Sequence, residues 1–148
     1  MSQPIDILII DPSDVDAKKT VAAIRRKAPK ASTLRVTTGD QAARLMFDRG
    51  LFTEAPQVPS LIIVDLAASD ECVKATLRRL RGCRLDDDVP VVIFSGRRSA
   101  RDILDSHLLG AHLNIIKPTE PKEYASAVDR MITLWLAGSF HVRTLEAC

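Results

Sequence analysis

Five short apolar runs, each followed by a segment with helical periodicity, organise the chain. The most continuous run lies at 60–66, where Ser-Leu-Ile-Ile-Val-Asp-Leu is rich in β-branched residues and carries one carboxylate. A continuous run of this length predicts a strand that is buried on both faces. The other runs, which predict four more strands, lie at 5–10, 34–37, 90–95 and 112–117.

The segments between these runs place apolar side chains at helical spacing. In the first such segment the apolar positions are Ala17, Val21, Ile24 and Ala28. This period predicts a helix from about Val15 to Lys27, with Ser13 or Asp14 as its N-terminal cap. Further helices are predicted at 41–49, 70–80 and 99–109 and after Thr119. Strands and helices that alternate five times predict an α/β fold, with a parallel sheet and helices on both of its faces.

Length and composition are typical of one ordinary globular domain. The chain has 148 residues, of which 46% are hydrophobic and 27% are charged, and its net charge is +2. This charge is too small to indicate binding to nucleic acid or to an anionic membrane, and the apolar runs are too short to span a bilayer. The three cysteines lack metal-ligand spacing and favour a reducing, cytoplasmic setting. We expect a single domain over residues 1–137 and a C-terminal tail over residues 138–148.

Polar side chains stand at the ends of four of the predicted strands. They are Asp11, Asp65, Ser95 and Lys117. Because the carboxyl ends of parallel strands meet at one edge of a sheet, we expect these side chains to lie close together. Two neighbouring carboxylates either share a proton or bind a cation, and oxygen ligands suit Mg²⁺. An aspartate can also attack phosphorus as a nucleophile, and a hydroxyl and a lysine nearby would neutralise the phosphoryl oxygens.

This set of residues resembles the receiver domain of response regulators in two-component signalling. The resemblance covers about Ile5 to Leu136. The residues that carry it are Asp11, Asp65-Leu66, Pro90-Val91-Val92-Ile93, Ser95-Gly96, Gly110-Ala111 and Lys117-Pro118. The short polar connection before the fourth strand and the tail beyond Trp135 look most similar to stand-alone regulators that pair with bacterial phytochrome kinases.

The resemblance implies a fold, a function and a role for each site residue. The fold would be a flavodoxin-like (CheY-like) five-stranded parallel sheet of order 2-1-3-4-5. A sensor histidine kinase, in the finer match a bacteriophytochrome, would transfer a phosphoryl group to Asp65, so the protein would be a signalling protein and not an enzyme. Asp11, Asp65 and the backbone carbonyl of Ala67 would hold Mg²⁺. Ser95 would donate a hydrogen bond to a phosphoryl oxygen, and Lys117 would pair with the phosphate.

Two departures from the family pattern change what we expect. The family usually has a second acid directly after the first, and it is the direct metal ligand; here Pro12 stands at that position, so we expect weak Mg²⁺ binding. Asp14 follows two residues later, and capping of the first helix is its expected role. The aromatic switch residue three positions before Lys117 is replaced by Asn114, so a rotamer switch of that kind is not expected.

Three functions remain as alternatives at this stage. The first is the phosphoacceptor regulator, which would act by protein–protein contact. The second is a degenerate receiver that serves as an interaction module without phosphate, as Pro12 and Asn114 would suggest. The third, a flavin binder, is disfavoured because Asp11-Pro12-Ser13-Asp14 places negative charge where a phosphate-binding loop would lie. The chain has no GxxxxGK[ST] motif, which argues against a P-loop NTPase.

The last predicted helix suggests how subunits would assemble. Its core face is predicted to consist of Tyr124, Val128, Met131 and Trp135. Ile132 and Leu136 fall outside this face, and an apolar surface of this kind is normally covered. We expect a homodimer through this helix, to which the tail contributes. The alternative is that the tail covers the same surface within one chain.

Overall fold

Five parallel strands form one sheet. The computed structural model describes residues 5–47, 59–66, 74, 75, 77, 78, 89–96 and 110–139. The strands are β1 (Ile7–Ile10), β2 (Thr33–Val36), β3 (Leu61–Val64), β4 (Val91–Ser95) and β5 (Leu113–Ile116). Their order across the sheet is β2-β1-β3-β4-β5, and every neighbouring pair is parallel. The predicted order is therefore confirmed.

The strand register brings the carboxyl ends of the strands to one edge. Ile10 is paired with Val64, and Ser95 is paired with Ile116. The hydrogen-bond ladder continues one residue beyond the strands, because the amide of Asp65 donates to the carbonyl of Ile10 at 2.8 Å and the amide of Lys117 to that of Ser95 at 3.0 Å. The backbones that carry the site residues are thus fixed by the sheet itself.

Three helices have bounds assigned within the described residues. They are α1 (Asp14–Lys27), α2 (Gly39–Phe47) and α3 (Pro121–Leu136), and residues 74, 75, 77 and 78 are also helical. The cap of α1 is Ser13 and not Asp14, since the Ser13 hydroxyl accepts a hydrogen bond from the amide of Asp16 at 3.2 Å. The helix predicted at 99–109 lies outside the described residues. Of the helices in the described ranges, none combines the length and apolar character needed to cross a membrane.

Alternate side chains of each strand pack into separate cores on the two faces of the sheet. On β1, Ile7 and Ile9 pack with residues of α1 and α3, whereas Leu8 and Ile10 pack with residues of α2 and with Leu77. All four β1 side chains are buried, as a strand covered on both faces requires. Helices on both faces of the sheet were predicted, and the structure confirms them.

The buried stripe of α3 is wider than the sequence pattern predicted. Its buried residues are Tyr124, Ala127, Val128, Met131 and Ile132. These positions follow the i, i+3, i+4, i+7, i+8 spacing of a helix that packs against two neighbours, here α1 and the sheet. Ile132 is 0% exposed, so the prediction that it lies outside the core face was wrong. Leu136 is 59% exposed, in line with its predicted position.

Candidate functional site

Three carboxylates converge on the ammonium group of Lys117 at the carboxyl edge of the sheet. Lys117 Nζ donates to Asp65 Oδ2 at 2.6 Å, to Asp11 Oδ2 at 2.7 Å and to Asp16 Oδ2 at 2.9 Å. Lys117, Asp11 and Asp65 are buried, and the Asp16 side chain is 29% exposed. An ammonium group has three N–H donors, so each of them has a carboxylate partner.

Negative charge exceeds positive charge in this cluster. Burial raises the pKa of Asp11 above its ordinary value, against the opposing effects of the Lys117 hydrogen bond and the Ser13 amide. Burial alone would lower the pKa of Lys117, but its hydrogen bonds to Asp11, Asp65 and Asp16 outweigh this effect and raise the pKa above its ordinary value. Lys117 is therefore charged at neutral pH, and one ammonium faces three carboxyl groups.

Ser95 completes the surroundings of Asp65. The Ser95 hydroxyl donates to Asp65 Oδ1 at 3.0 Å, while Lys117 donates to Asp65 Oδ2. Both oxygens of this carboxylate thus face a hydrogen-bond donor from a neighbouring strand end. The sequence predicted that Asp11, Asp65, Ser95 and Lys117 would lie together, and the structure brings all four into one cluster. Ala67, the fifth predicted site residue, lies outside the described residues.

Asp16 is the site residue that the sequence analysis missed. With Ser13 as the cap, Asp16 is the third residue of α1, and side chains on a helix are tilted back toward its N-terminus. The carboxylate therefore reaches back to the end of β1. The Ser-x-x-Asp spacing, which resembles a capping box, is the sequence signal that could have revealed it.

Asp14, which the sequence suggested as a cap of the first helix, pairs with Arg35 outside the cluster. Its carboxylate accepts a hydrogen bond from Arg35 Nη1 at 2.8 Å, and this bond holds the pKa of Asp14 below its ordinary value. Arg35 Nε also donates to the backbone carbonyl of Asp11 at 2.9 Å. Arg35 thus fastens the turn between β1 and α1 from the outside.

The turn that carries Asp11 is fixed by hydrogen bonds of its own. Asp11 Oδ1 accepts from the Ser13 amide at 2.9 Å, which leaves Oδ2 directed at Lys117. Pro12, between them, is exposed and offers no side-chain ligand. Position 12 carries no acid, and the third carboxylate of the cluster is that of Asp16, four residues further along the chain.

The residues present fit a divalent cation. Asp11, Asp16 and Asp65 each offer one oxygen, and these atoms lie within 4.8 Å of one another. Three carboxylates are hard oxygen ligands of the kind that Mg²⁺ and Mn²⁺ prefer. The position of the Lys117 ammonium among them shows that the cluster accommodates positive charge. The carboxyl groups still outnumber the two ammonium groups beside them, Lys117 and the more exposed Lys19, which favours a bound cation.

Response regulators are among the solved structures that this chain resembles. The phosphorylated cyanobacterial phytochrome response regulator RcpA matches with a TM-score of 0.80 at 20% identity, over 92% of this chain and 96% of that chain. The Mn²⁺-bound response regulator Rcp1 matches with a TM-score of 0.77 at 20% identity, over 90% and 95%. Response regulator RPA3017, in red light signalling of R. palustris, matches with a TM-score of 0.70 at 22% identity, over 88% and 93%.

These structural neighbours are response-regulator receiver domains, and this chain has their five-stranded, CheY-like fold. Phytochrome response regulators are among them, in agreement with the finer resemblance seen in the sequence. No protein-family profile matches the chain, and no curated protein sequence matches it. The likeness is therefore one of fold.

Proposed function

We propose that this protein is a cytoplasmic single-domain response regulator that accepts a phosphoryl group on Asp65. The donor is the phosphohistidine of a sensor histidine kinase, and a bacterial phytochrome is the kinase class that the neighbours favour. The observation that carries the proposal is the setting of Asp65. It is a buried carboxylate at a strand end, with the Ser95 hydroxyl on one oxygen and the Lys117 ammonium on the other.

The geometry supports an in-line transfer of the phosphoryl group. An Asp65 oxygen attacks phosphorus, an O–P bond forms as the P–N bond to the histidine breaks, and the electron pair of that bond returns to the imidazole nitrogen. Two hydrogen-bond donors beside Asp65 can then stabilise the negative charge on the phosphoryl oxygens. The Ser95 hydroxyl binds one oxygen, and Lys117 turns from the carboxylates to another.

Asp11, Asp16 and Asp65 would hold a divalent cation beside the acceptor. When bound, the cation neutralises the charge of the carboxylates and of the incoming phosphoryl oxygens. Lys117 already uses one oxygen of each carboxylate, so the cation and the ammonium draw on the same ligands. This competition is a physical reason for the weak Mg²⁺ binding that we expect, in addition to the absence of a carboxylate at position 12.

A degenerate receiver is the second candidate, and one observation favours it. The three donors of Lys117 already match the three carboxylates, so the pocket has internal partners without a cation or a phosphoryl group. Such a protein would signal only by contact with its partners. The three carboxyl groups outnumber the two ammonium groups beside them, Lys117 and Lys19, and this balance speaks for the phosphoacceptor.

Homodimerisation through α3 and the tail stays a prediction, as does the domain boundary at residue 137. Leu136 is 59% exposed and remains available as an apolar contact of the dimer, whereas Ile132 is buried within its own chain and is not available. Residues 140–148 of the tail lie outside the described residues.

Phosphorylation by a small-molecule donor tests the proposed function. The protein is incubated with acetyl phosphate and Mg²⁺, and its intact mass is measured. We expect a gain of one phosphoryl group, which Asp65→Asn abolishes and Ser95→Ala slows. Asp14→Asn is the matched control, because this acid lies on the same edge but pairs with Arg35. A wild-type protein that gains no mass would support the degenerate receiver.

A further inference from the structure

The backbone carbonyl of Asp16 is held by two hydroxyl groups. Its carbonyl oxygen lies 3.0 Å from Thr20 Oγ1 and 3.0 Å from the Tyr124 hydroxyl, and the two hydroxyls are 2.7 Å apart. Thr20 belongs to α1, and Tyr124 belongs to α3. The residue that presents a carboxylate to the cluster is therefore joined through its own peptide group to α3.

The ring of Tyr124 reaches the other side of the same site. It is 2% exposed and packs edge-on against the Phe94 ring, with centroids 5.1 Å apart and an interplanar angle of 61°. Phe94 directly precedes Ser95 on β4. Tyr124 thus contacts both the turn that carries Asp16 and the strand that carries Ser95, and its position is set by buried packing.

Lys19 adds a third contact between Asp16 and Tyr124. Its ammonium lies 5.4 Å from the centroid of the Tyr124 ring and 4.0 Å from Asp16 Oδ1. Asp16 is therefore linked to Tyr124 in two ways. Its peptide carbonyl accepts from the Tyr124 hydroxyl, and the Lys19 ammonium beside its carboxylate also lies over the Tyr124 ring. A shift of the Asp16 peptide on cation binding would reach α3 through the hydrogen bond from Tyr124.

We propose that Tyr124 is a positioning residue that sets Asp16 for cation binding and couples the occupancy of the site to α3. The inference rests on the cation site of the proposed function. Tyr124 lies on α3, the helix that leads to the tail, and its ring packs against the strand that carries Ser95. The coupling is reciprocal: if a bound cation changes the affinity of α3 for a partner, the bound partner changes the affinity for the cation by the same factor.

Calorimetric titration with Mg²⁺ tests the positioning role. Tyr124→Phe removes only the hydroxyl and retains the ring against Phe94. We expect about tenfold weaker Mg²⁺ binding, at the lower end of what loss of a supporting hydrogen bond costs a metal site. Thr20→Val should weaken binding in the same direction, and Thr20→Ser, which retains the hydroxyl, should restore it. Unfolding midpoints confirm that each variant is folded before titration.

Thr133→Val provides the matched control. Thr133 Oγ1 donates to the carbonyl of Asp129 at 2.8 Å, which is the same type of bond as that of Thr20 but lies on an exposed part of α3. This substitution should leave Mg²⁺ affinity unchanged. Loss of affinity in Thr133→Val equal to that in Thr20→Val would overturn the proposal, because any lost helix hydrogen bond would then suffice.

Trp135 gives a readout that a purely structural role would not change. It is the single tryptophan, lies near the end of α3, and is separated from Tyr124 by eleven residues, or about 16 Å along the helix. We expect Mg²⁺ to alter its fluorescence in the wild type and to leave it unaltered in Tyr124→Phe, even at saturating Mg²⁺. A wild type that binds no Mg²⁺ would overturn the cation site itself. Equal affinities and equal fluorescence responses in the two proteins would overturn the coupling alone.

Discussion

Replacement of Lys117 by methionine probes the charge balance of the site. Methionine retains an aliphatic chain of similar length but removes the ammonium that is bonded to Asp11, Asp16 and Asp65. Removal of one partner from a buried ion pair typically costs about 3–5 kcal/mol, because the remaining charges are left uncompensated. With three carboxylates involved, we expect a loss of at least about 3 kcal/mol in the free energy of unfolding at neutral pH, measured by urea denaturation.

The loss should depend on pH in a defined direction. Lys117 lowers the pKa of Asp11 in the wild type, so its removal raises that pKa further above the unfolded value of 3.8. When folding raises the pKa of an acid, the folded protein loses stability as the pH rises from the unfolded-state pKa through the folded-state pKa. The penalty of Lys117→Met should therefore be small below about pH 4 and fully present at neutral pH.

Mg²⁺ should rescue the variant. Lys117→Met frees the carboxylate oxygens for a cation, so Mg²⁺ should bind it more tightly than it binds the wild type, and a hundredfold excess over Kd adds about 2.7 kcal/mol of stability. Lys18→Met is the control, since this lysine is 80% exposed and its substitution should change stability by less than about 0.5 kcal/mol. A Lys117→Met protein as stable as the wild type at neutral pH, or one that Mg²⁺ does not stabilise, would refute the reasoning.

Four further outcomes are expected. Asp16→Asn should weaken Mg²⁺ binding at least about tenfold, or about 1.4 kcal/mol, in a calorimetric titration, whereas Asp14→Asn should leave it unchanged; equal effects would remove Asp16 from the site. Pro12→Asp should tighten Mg²⁺ binding about tenfold, and an unchanged Kd would mean that position 12 does not face the cation. Burial raises the pKa of Tyr124 from 10.0 to about 12, so a stabilisation of about 3 kcal/mol that is present below pH 10 should be lost as the pH rises through 12. Because Tyr124 is the only tyrosine, the absorbance of tyrosinate reports this titration directly, and a midpoint near pH 10 would contradict it. Sedimentation at micromolar concentration should show a homodimer that Leu136→Asp dissociates, and a monomeric wild type would rule this assembly out.

The strand ends were predictable from the sequence because topology decides them. Once the apolar runs are recognised as parallel strands, Asp11, Asp65, Ser95 and Lys117 must meet at one edge, whatever the details of packing. The structure links these four side chains by hydrogen bonds, from Ser95 to Asp65 and from Lys117 to both Asp65 and Asp11.

The position of Asp16 was harder to predict because it depends on one hydrogen bond. Had Asp14 capped α1, residue 16 would have occupied an earlier position of the helix and would have pointed elsewhere. The choice of Ser13 as the cap places Asp16 as the third helical residue. Cap positions shift easily by a residue, and such a shift rotates a helical side chain by about 100°.

The burial of Ile132 could not be predicted from the period of α3 alone. A stripe defined by Tyr124, Val128, Met131 and Trp135 describes a helix that packs on one neighbour. In the structure α3 packs against both α1 and the sheet, which widens the stripe to include Ile132 and leaves Trp135 half-buried. The number of neighbours of a helix is a property of the tertiary fold.

The identity of the phosphorylated residue is the most direct test of the proposed function, because three carboxylates lie within hydrogen-bonding distance of Lys117. After reaction with acetyl phosphate and Mg²⁺, borohydride reduction converts an acyl phosphate of aspartate to homoserine, and peptide mass analysis locates it. We predict homoserine at position 65, where Ser95 and Lys117 flank the carboxylate. Homoserine at position 11 or 16, or at none of the three, would contradict the assignment of Asp65 as the phosphoacceptor.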